Sequence, residues 1–251
     1  MIFRRIATHI KDQNWIAVAI DFVIVVIGVF VGLQLQDWND NRKERQDEYE
    51  LLARLLDETQ SLLTVNMIEL SVLQERAKAI IDVNPVLFSQ EPARAFTPWE
   101  CSIVSGSHVL RRSADELPVL DEILGTGRFD ILSDADIKRS LRAYLLLRER
   151  GRAHYEEAVK ERFRLHSRFP SMVELQRIQR DPDDNGNWGG LSGDGYRWQP
   201  ICDVEKMRAS TAFLNEYVDN VGRLNSLTQF IKQREEHLSA LMSLLKSKQI
   251  S

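Results

Sequence analysis

The sequence predicts an all-α protein: an N-terminal transmembrane helix that continues into a long amphipathic helix, packed in an extracytoplasmic helical bundle. Three observations predict this class. An apolar segment of 22 residues lies near the N-terminus, over 15–36. Apolar residues then recur at three- and four-residue spacing over 52–81 and again over 213–245, which indicates one face of an α-helix. Two amphipathic helices of similar length favour antiparallel packing in a bundle.

The apolar segment reads "WIAVAIDFVIVVIGVFVGLQLQ", with Trp15 and Trp38 flanking it as aromatic rings do at membrane interfaces. At ~1.5 Å rise per residue, 15–36 crosses a hydrocarbon core of ~30 Å. A core helix of a soluble domain rarely needs to be apolar on every face. A cleavable signal peptide has a shorter apolar region followed by small residues, whereas "GLQLQDWND" follows here. The segment therefore predicts an uncleaved transmembrane helix.

The flanking charges give the orientation only weakly. Basic residues stand on both sides of the apolar segment, at Arg4, Arg5, Lys11, Arg42, Lys43 and Arg45. This is nearly a tie under the positive-inside rule. The stretch "MIFRRIATHI" can lie as a short amphipathic helix on the membrane surface. We expect 1–14 to be a short cytoplasmic tail and 37–251 to be an extracytoplasmic helical domain.

One stripe of the apolar helix predicts an interface. Steps of four, seven, four and four residues link Ala17, Asp21, Gly28, Gly32 and Gln36 near one face. The two glycines let another helix approach closely, and a partner helix could then offer Asp21 a hydrogen-bond donor. A carboxylate costs roughly 2.5–3.5 kcal/mol at mid-span, and less where Asp21 lies. The partner is a second copy or another integral membrane protein. Alternatively, Asp21 reaches the headgroups or is protonated, and the glycines are incidental.

Composition limits the domain count and the class of partner. The chain has 251 residues, 43% hydrophobic and 28% charged, with a net charge of −4. Roughly 215 residues follow the apolar segment, which is enough for one compact domain with its own core. The mildly acidic balance gives no reason to expect nucleic acid as a partner.

The chain contains two cysteines, Cys101 and Cys202. In a domain outside the cytoplasm, such a pair predicts one disulfide; the alternative is two unpaired buried thiols. The bond would close a loop of about 100 residues and stabilise the fold by up to ~4.7 kcal/mol. The pair does not predict a zinc site, because no His or Cys stands at ligand spacing beside either one.

Prolines and glycines divide the middle of the chain. The first long helix is expected to run to about residue 83, just before Pro85. Residues 84–112, rich in Pro, Ser and Gly, predict connecting loops. The stretch "ADELPVLDEIL" predicts a short helix broken or kinked at Pro118 and ending at Gly125.

A further helix is predicted from "SDAD". Ser133 is the expected N-cap, with Asp136 three residues on as a variant capping box. The apolar spacing that follows carries the helix to about Phe169, before a proline. Residues 181–198, rich in Gly and Asp, predict a long loop.

The residues described so far resemble a family. The apolar segment with its early acid, then "IGVFVGLQLQDWNDNRK" and "GRFDILSDADIKRSLRAY", then a long C-terminal helix, are similar to a family of small single-pass bacterial inner-membrane proteins catalogued as a domain of unknown function. The match is strongest over roughly 20–60, at Asp21, Gly28, Leu33, Gln34, Trp38, Asn39, Arg42 and Lys43, and looser over Gly127–Tyr144. The family usually has Glu where this chain has Asp21. The resemblance implies location and architecture, without an activity or catalytic residues.

The sequence shows few enzyme motifs. The histidines are scattered and form no metal-binding helix pair; they are His9, His108, His154, His166 and His237. The stretch "SGSH" around Ser105 lacks the spacing of a nucleophile elbow. The "GTG" at 125–127 follows a helix and predicts a helix stop rather than a phosphate loop. The Ser-x-x-Lys spacing at 243–246 falls on a regular helix. We therefore predict that the protein is not an enzyme.

One motif resembles the start of a calcium loop. Asp181, Asp183 and Asn185 stand at its first, third and fifth positions, with Gly186 at the sharp turn. The twelfth position is Ser192, where a bidentate Glu is needed. The motif predicts at most weak calcium binding, and an ordinary solvated turn is the alternative, because these residue types favour turns without a metal. No other cofactor is expected.

Three functions are compatible with these features. The first is a membrane-anchored interaction protein, an accessory or scaffold subunit in the bacterial inner membrane with most of its chain in the periplasm. The second is a sensory or ligand-binding module, which would act through a partner subunit because only fourteen residues precede the apolar segment. The third is an enzyme or transport component whose site the sequence does not reveal. We favour the first.

Overall fold

The protein is mostly helical in its computed structural model, which describes residues 15–179, 192–193 and 195–249. The structure is 75% helical and 7% strand, so the predicted all-α class is confirmed. The described elements are, in chain order, α1 (Trp15–Leu87), α2 (Pro98–Ser105), α3 (Pro118–Gly125), a 3₁₀ turn (Phe129–Ile131), α4 (Ala135–Lys160), α5 (Leu165–Arg168), β1 (Val173–Gln179), β2 (Ser192–Gly193), β3 (Tyr196–Cys202), α6 (Val204–Ala209) and α7 (Thr211–Gln249).

Helix α1 is one uninterrupted helix of 73 residues, about 110 Å long at ~1.5 Å per residue. No Gly or Pro occurs between residues 33 and 84 to break it. Pro85 lies in its last turn, so the expected end at residue 83 was four residues short. A proline here removes one backbone donor, while the Pro85 carbonyl accepts hydrogen bonds from the N–H groups of Gln90 (2.9 Å) and Glu91 (3.0 Å).

Among the described residues, α1 is the one helix long and apolar enough to cross a membrane, with a mean hydropathy of 1.5 in its apolar window. None of that window is buried within the chain. This property is compatible with a membrane anchor.

Helices α1 and α7 pack antiparallel, as the sequence predicted. Tyr217 Oη, near the start of α7, donates to Asn84 Oδ1 near the end of α1 (3.0 Å). Farther along α7, Arg234 Nε donates to Oδ1 of Asn66, which is earlier in α1 (2.7 Å). At the last turn of α7, Lys248 is 2.8 Å from Asp134, beside the point where α4 begins. Helix α4 also packs against α7, with His237 Nε2 of α7 2.9 Å from the Ser140 carbonyl oxygen, and side chains of all three helices share one apolar cluster, which completes a three-helix bundle.

Three apolar clusters fill the bundle from one end to the other. The first lies where α1 enters the bundle and includes Leu51, Leu55, Leu62, Leu120, Ile137, Leu141, Tyr144, Leu238, Leu241 and Leu245. The second fills the middle with Ala79, Ile80, Ile103, Leu110, Ala158 and Leu224. The third closes the far end with Val83, Leu87, Val104, Leu165, Val173, Met207, Phe213 and Tyr217.

The segment 84–112, expected to be loops, contains helix α2. The α2 N-terminus has a full capping box: the Thr97 hydroxyl accepts from the Glu100 N–H (3.2 Å), and the Glu100 carboxylate accepts from the Thr97 N–H (2.8 Å). Pro98 occupies the first turn, where a missing N–H costs nothing. The sequence showed this signal as "TPWE", with Glu three residues after Thr.

Pro118 begins α3 rather than kinking it, because the N–H that proline lacks is not needed in the first turn of a helix. The end of α3 at Gly125 is as predicted. The N-cap of α4 is Asp134 and not Ser133: its Oδ1 accepts from the N–H groups of Asp136 (2.8 Å) and Ile137 (2.9 Å).

Helix α4 ends at Lys160 rather than Phe169, and α5 is a separate short helix.

The strands were not predicted from the sequence. Strands β1 and β3 pair antiparallel from Val173↔Cys202 to Gln179↔Tyr196, and β2 pairs with the outer edge of β3. Part of β3 falls within 181–198, which was expected to be loop throughout. Only Val173 of β1 is fully buried, so the usual apolar alternation is weak.

Cys101 of α2 and Cys202 at the end of β3 are joined by a disulfide, with Cα atoms 5.7 Å apart. The two cysteines are separated by 101 positions in the chain. The bond therefore attaches strand β3, and with it the sheet, to α2 at the far end of the bundle, beside the third apolar cluster.

Candidate interaction face and buried polar network

The apolar part of α1 makes no buried contact within the chain. Every side chain from Phe22 to Gln46 is exposed; Phe22 is 68% exposed and Phe30 64%. A Cβ added at Gly28 or Gly32 would meet no atom within 4 Å. Apolar side chains exposed in such a continuous array mark a surface that lipid or another protein covers.

The predicted interface stripe lies along this part of α1. Gly28, Gly32 and Gln36 are on the exposed helix. Ala17 and Asp21 belong to the helical backbone, but their side chains lie outside the described part of the structure. The proposed contacts of Asp21 therefore stay a prediction.

A charged segment of α1, residues 37–46, connects the apolar part to the bundle. Its interactions are local: Asn41 Nδ2 donates to the Asp37 carbonyl (2.7 Å), and the Arg42 guanidinium lies 6.0 Å from the Trp38 ring. We call residues 37–46 the neck. Because its side chains are all exposed, the neck is held to the bundle by helix continuity alone.

The bundle first contacts α1 just after the neck. The backbone N–H and the hydroxyl of Ser133 both donate to Oε1 of Glu48, at 2.5 and 2.8 Å. Asp47 lies 3.5 Å from Arg128. Ser133, expected to cap α4, therefore fixes the start of that helix to α1 instead.

A buried polar network lies in the middle of the bundle. The Arg234 side chain of α7, with 8% of the residue exposed, donates to Asn66 Oδ1 and to the Ser113 hydroxyl, and Ser113 donates to Glu69. Asn66 Nδ2 in turn donates to the Leu62 carbonyl (2.8 Å). Burial lowers the pKa of Arg234, and neighbouring acids oppose that effect. The network ties the segment between α2 and α3 to both long helices.

A second group of ion pairs fixes α3 and the segment before it to α4. Arg152 makes two hydrogen bonds of 2.8 Å to the carboxylate of Asp115, which is 4% exposed. Burial alone would raise the pKa of Asp115, but the bonds and charge of Arg152 outweigh it and hold that pKa below its usual value. Tyr144 Oη donates to the Asp115 carbonyl (2.6 Å), and burial raises the Tyr144 pKa. These groups are mutually satisfied, as structural networks are.

His108 and His166 lie together near the far end of the bundle, with ring centroids 5.5 Å apart. Burial lowers the pKa of both imidazoles, and Arg164 lowers it further. Two histidines are fewer than the three protein ligands of a catalytic zinc site. Within the described residues, no group of three or more His, Cys, Asp or Glu side chains is placed to hold a metal ion.

The predicted calcium ligands, Asp181, Asp183 and Asn185, lie outside the described residues. Because β1 ends at Gln179 and β2 starts at Ser192, this segment joins the two strands. The weak calcium site stays a prediction.

The site features that sequence reasoning missed are Arg234, Asn66 and two ion pairs of α4. These pairs are Arg152 with Asp115 and Arg148 with Asp121 of α3 (2.8 Å). The sequence signal for Asn66 and Arg234 was a polar residue at a position in the apolar face of α1 or α7. This signal is ambiguous on its own, because a buried amide or charge requires a partner that the local sequence does not show.

Comparisons of the chain with protein-family models, curated protein sequences and solved structures returned no match. The resemblance to the bacterial inner-membrane family therefore stays a prediction.

We predict that Arg234→Met destabilises the bundle by about 3 kcal/mol, because removal of a buried charged donor leaves Asn66 and Ser113 without it. The measurement is the free energy of urea unfolding of the full chain in detergent. Gln233→Met, at an exposed position beside it on α7, is the control and should change stability by less than about 0.5 kcal/mol. Equal stability of the two variants would show that the network contributes nothing.

Proposed function

We propose that the protein is a single-pass, membrane-anchored interaction protein, an accessory or scaffold subunit that presents a helical bundle outside the membrane. In this proposal, residues 15–36 span the bacterial inner membrane, 1–14 lie in the cytoplasm and 37–251 lie in the periplasm. The protein associates through its transmembrane helix with a second copy of itself or with another integral membrane protein.

The observation that supports this proposal is that one helix, α1, has an exposed apolar part suited to a bilayer and a second part that packs in the bundle. The part of α1 between residues 22 and 36 is apolar and wholly exposed, while Leu51, Leu55 and Leu62 of the same helix are buried in the bundle. An exposed apolar segment of this length is stable in a bilayer and unstable in water. The domain built on α1 is then held close to the membrane by a helix rather than by a linker.

The chemistry of the bundle favours interaction over catalysis. The charged groups of the Arg234 network and of the Asp115–Arg152 pair bond to each other, so their hydrogen-bonding capacity is used within the fold. We therefore propose no enzymatic activity, no cofactor beyond the weak calcium site, and no nucleic-acid partner.

The alternative is a sensory or ligand-binding module that acts through a partner subunit. A cleft between α1 and α7 of about 100 Å³ is lined by Leu73, Ala77, Leu224 and Thr228, among others. Small-molecule sites usually have ~300–1,000 Å³, so this cleft gives little support to ligand binding.

The glycine stripe provides the test of association. We expect Gly28→Leu with Gly32→Leu to abolish oligomers, because the added side chains prevent close helix approach. Asp21→Leu should weaken association by about 0.6–2 kcal/mol, the contribution of one interhelical hydrogen bond. The measurement is the native mass of the full chain in mild detergent, together with crosslinking in membranes.

The matched control is Val26→Leu with Phe30→Leu, a pair of the same spacing on the opposite side of the helix. It should leave the oligomer intact. If the glycine pair and the control pair give the same native mass and crosslinking as the unaltered chain, the transmembrane helix is not the interface.

The disulfide provides the test of orientation. If the bundle lies in the periplasm, an oxidising compartment, Cys101 and Cys202 should resist alkylation in unfolded samples from membranes until a reductant is added. Mass spectrometry of the alkylated chain measures this. Full labelling of both thiols before reduction would contradict both the bond in the cell and the periplasmic placement.

A further inference from the structure

Two histidines from different parts of the chain face each other at the far end of the bundle. His108 lies in the turn that follows α2, and His166 lies on α5. Their ring centroids are 5.5 Å apart, with the rings tilted by 52° to each other, and both residues are partly buried. The pair is therefore a direct contact between the turn after α2 and α5.

The hydrogen bond of His108 identifies the nitrogen that acid would protonate. His108 Nδ1 lies 3.1 Å from the Ser105 carbonyl oxygen. Because a carbonyl oxygen only accepts, Nδ1 carries the proton of the neutral imidazole, and Nε2 is the nitrogen that takes a second proton. Acid therefore adds a positive charge to His108 and leaves its bond to Ser105 in place.

The surroundings of the pair disfavour that charge. Burial lowers the pKa of both imidazoles, and neighbouring cations lower it further. For the pKa of His108 these cations are His166, Arg164 and Arg162. For the pKa of His166 the cation is Arg164. The folded chain therefore favours two neutral imidazoles, because a proton on either one is placed among like charges.

The acids of this region do not offset those cations. On α7, Glu216 lies 2.6 Å from Arg168 of α5. Glu161, just after α4, lies 3.2 Å from Arg223 of α7. Glu174 of β1, the strand that packs against α5, is exposed to solvent. In the described part of the chain, neither imidazole is therefore paired with a carboxylate that would hold it in the charged form.

The two sides of the contact differ in how firmly they are held. The turn after α2 is fixed by Arg76 of α1, whose guanidinium donates to the carbonyl oxygens of Gly106 and Val109 (both 3.2 Å). Helix α5 has only four residues, and a helix of one turn has no stability of its own. The position of α5 therefore depends on its contacts with the rest of the bundle, and α5 is the side that can move.

Asn220 of α7 lies beneath the contact and bonds to both sides. It is 1% exposed, and its Oδ1 accepts from the Phe163 N–H (3.0 Å). Its Nδ2 donates to the Phe163 carbonyl (2.7 Å) and to the Ser107 hydroxyl oxygen (3.2 Å). Movement of α5 away from the turn would break the Phe163 bonds, so exchange of the Phe163 amide reports on that movement.

We propose that the His108–His166 pair is a pH-sensitive latch. While both imidazoles are neutral, the latch holds α5 against the turn after α2, and protonation in mild acid releases α5 with its flanking residues, 161–169. This regulation goes beyond the anchoring function and is independent of the partner of the transmembrane helix. In the proposed periplasmic placement, the latch would meet the pH of the medium through the aqueous channels of porins.

The direction of the response follows from the lowered pKa of both imidazoles. In the released form their pKa returns to ~6.5, so below this pH the released form binds more protons than the closed form. The closed form is fully favoured above pH ~6.5 and loses stability as the pH falls toward the lowered pKa values. Each imidazole then shifts the equilibrium by up to about tenfold per pH unit.

The test is amide hydrogen exchange of the full chain in detergent at about pH 7.5 and about pH 5.5, normalised to the intrinsic exchange rate at each pH. Mass spectrometry of peptides that cover 161–169 measures release of α5, and peptides that cover 50–60 are the internal control. We expect the protection of 161–169 to fall at least about tenfold at the lower pH, with that of 50–60 unchanged.

Variants of the pair separate the latch from other effects of acid. His108→Gln with His166→Gln is neutral at every pH, so the protection of 161–169 should no longer depend on pH. His166→Lys adds a charge at neutral pH and should lower that protection at about pH 7.5. His154→Gln is the control, because the His154 ring lies beside Phe230, 5.0 Å away, and this variant should keep the response of the unaltered chain.

Equal protection of 161–169 at both pH values in the unaltered chain would overturn the proposal. A pH response of the double Gln variant as large as that of the unaltered chain would do the same. Parallel loss of protection in 161–169 and 50–60 would mean acid unfolding of the whole bundle, which also contradicts a latch. If the double variant does not fold, His166→Lys decides: unchanged protection at about pH 7.5 contradicts the latch, and selective loss in 161–169 supports it.

Discussion

The backbone hydrogen-bond ladder of α1 is the constraint on which the rest of the structure depends. The same helix provides an apolar segment that nothing in the chain buries and, beyond residue 47, one wall of the bundle core. Because no Gly or Pro interrupts residues 33–84, the two parts cannot move independently without breaking helical hydrogen bonds. The position and tilt of the apolar segment therefore set the position of the bundle.

The bundle is fixed to α1 at three levels. Glu48 holds the start of α4 through Ser133. In the middle, Asn66 binds Arg234 of α7. At the far end, Asn84 of α1 accepts a hydrogen bond from Tyr217 of α7. These contacts leave the outer side of α1 free, since all of them lie on its inner side.

Much of the fold could be predicted from the sequence because long helices have strong periodic signals. The spacing of apolar residues predicted α1 and α7, and Gly125 gave the end of α3. Shorter elements were missed where two signals competed. Pro118 can kink a helix or begin one. Ser133 and Asp134 are both good N-caps, and the choice between them depends on Glu48, which binds Ser133 and is distant in sequence. Strand β1 buries little beyond Val173, so its pattern was too weak to recognise.

The candidate site was less predictable. The glycine stripe follows from spacing alone, but the exposure of Ile68 (61%) and Val72 (51%) on α1 does not, because an apolar residue at helical spacing usually faces a core. The packing of α7 on the other side of α1 shows which stripe remains open. The Arg234 network likewise could not be predicted, because a buried Arg can be identified only once its hydrogen-bond partners are known. Those partners, Asn66 and Ser113, come from distant parts of the chain.

The most direct test of the central claim is amide hydrogen exchange across residues 38–48 of the full chain in a lipid bilayer. If α1 is continuous, these amides should be protected to a degree close to that of 50–60 in the bundle, because each N–H bonds to a carbonyl one turn earlier. Fast exchange confined to 38–48 would mean that the neck is frayed, and that the apolar segment does not fix the position of the bundle.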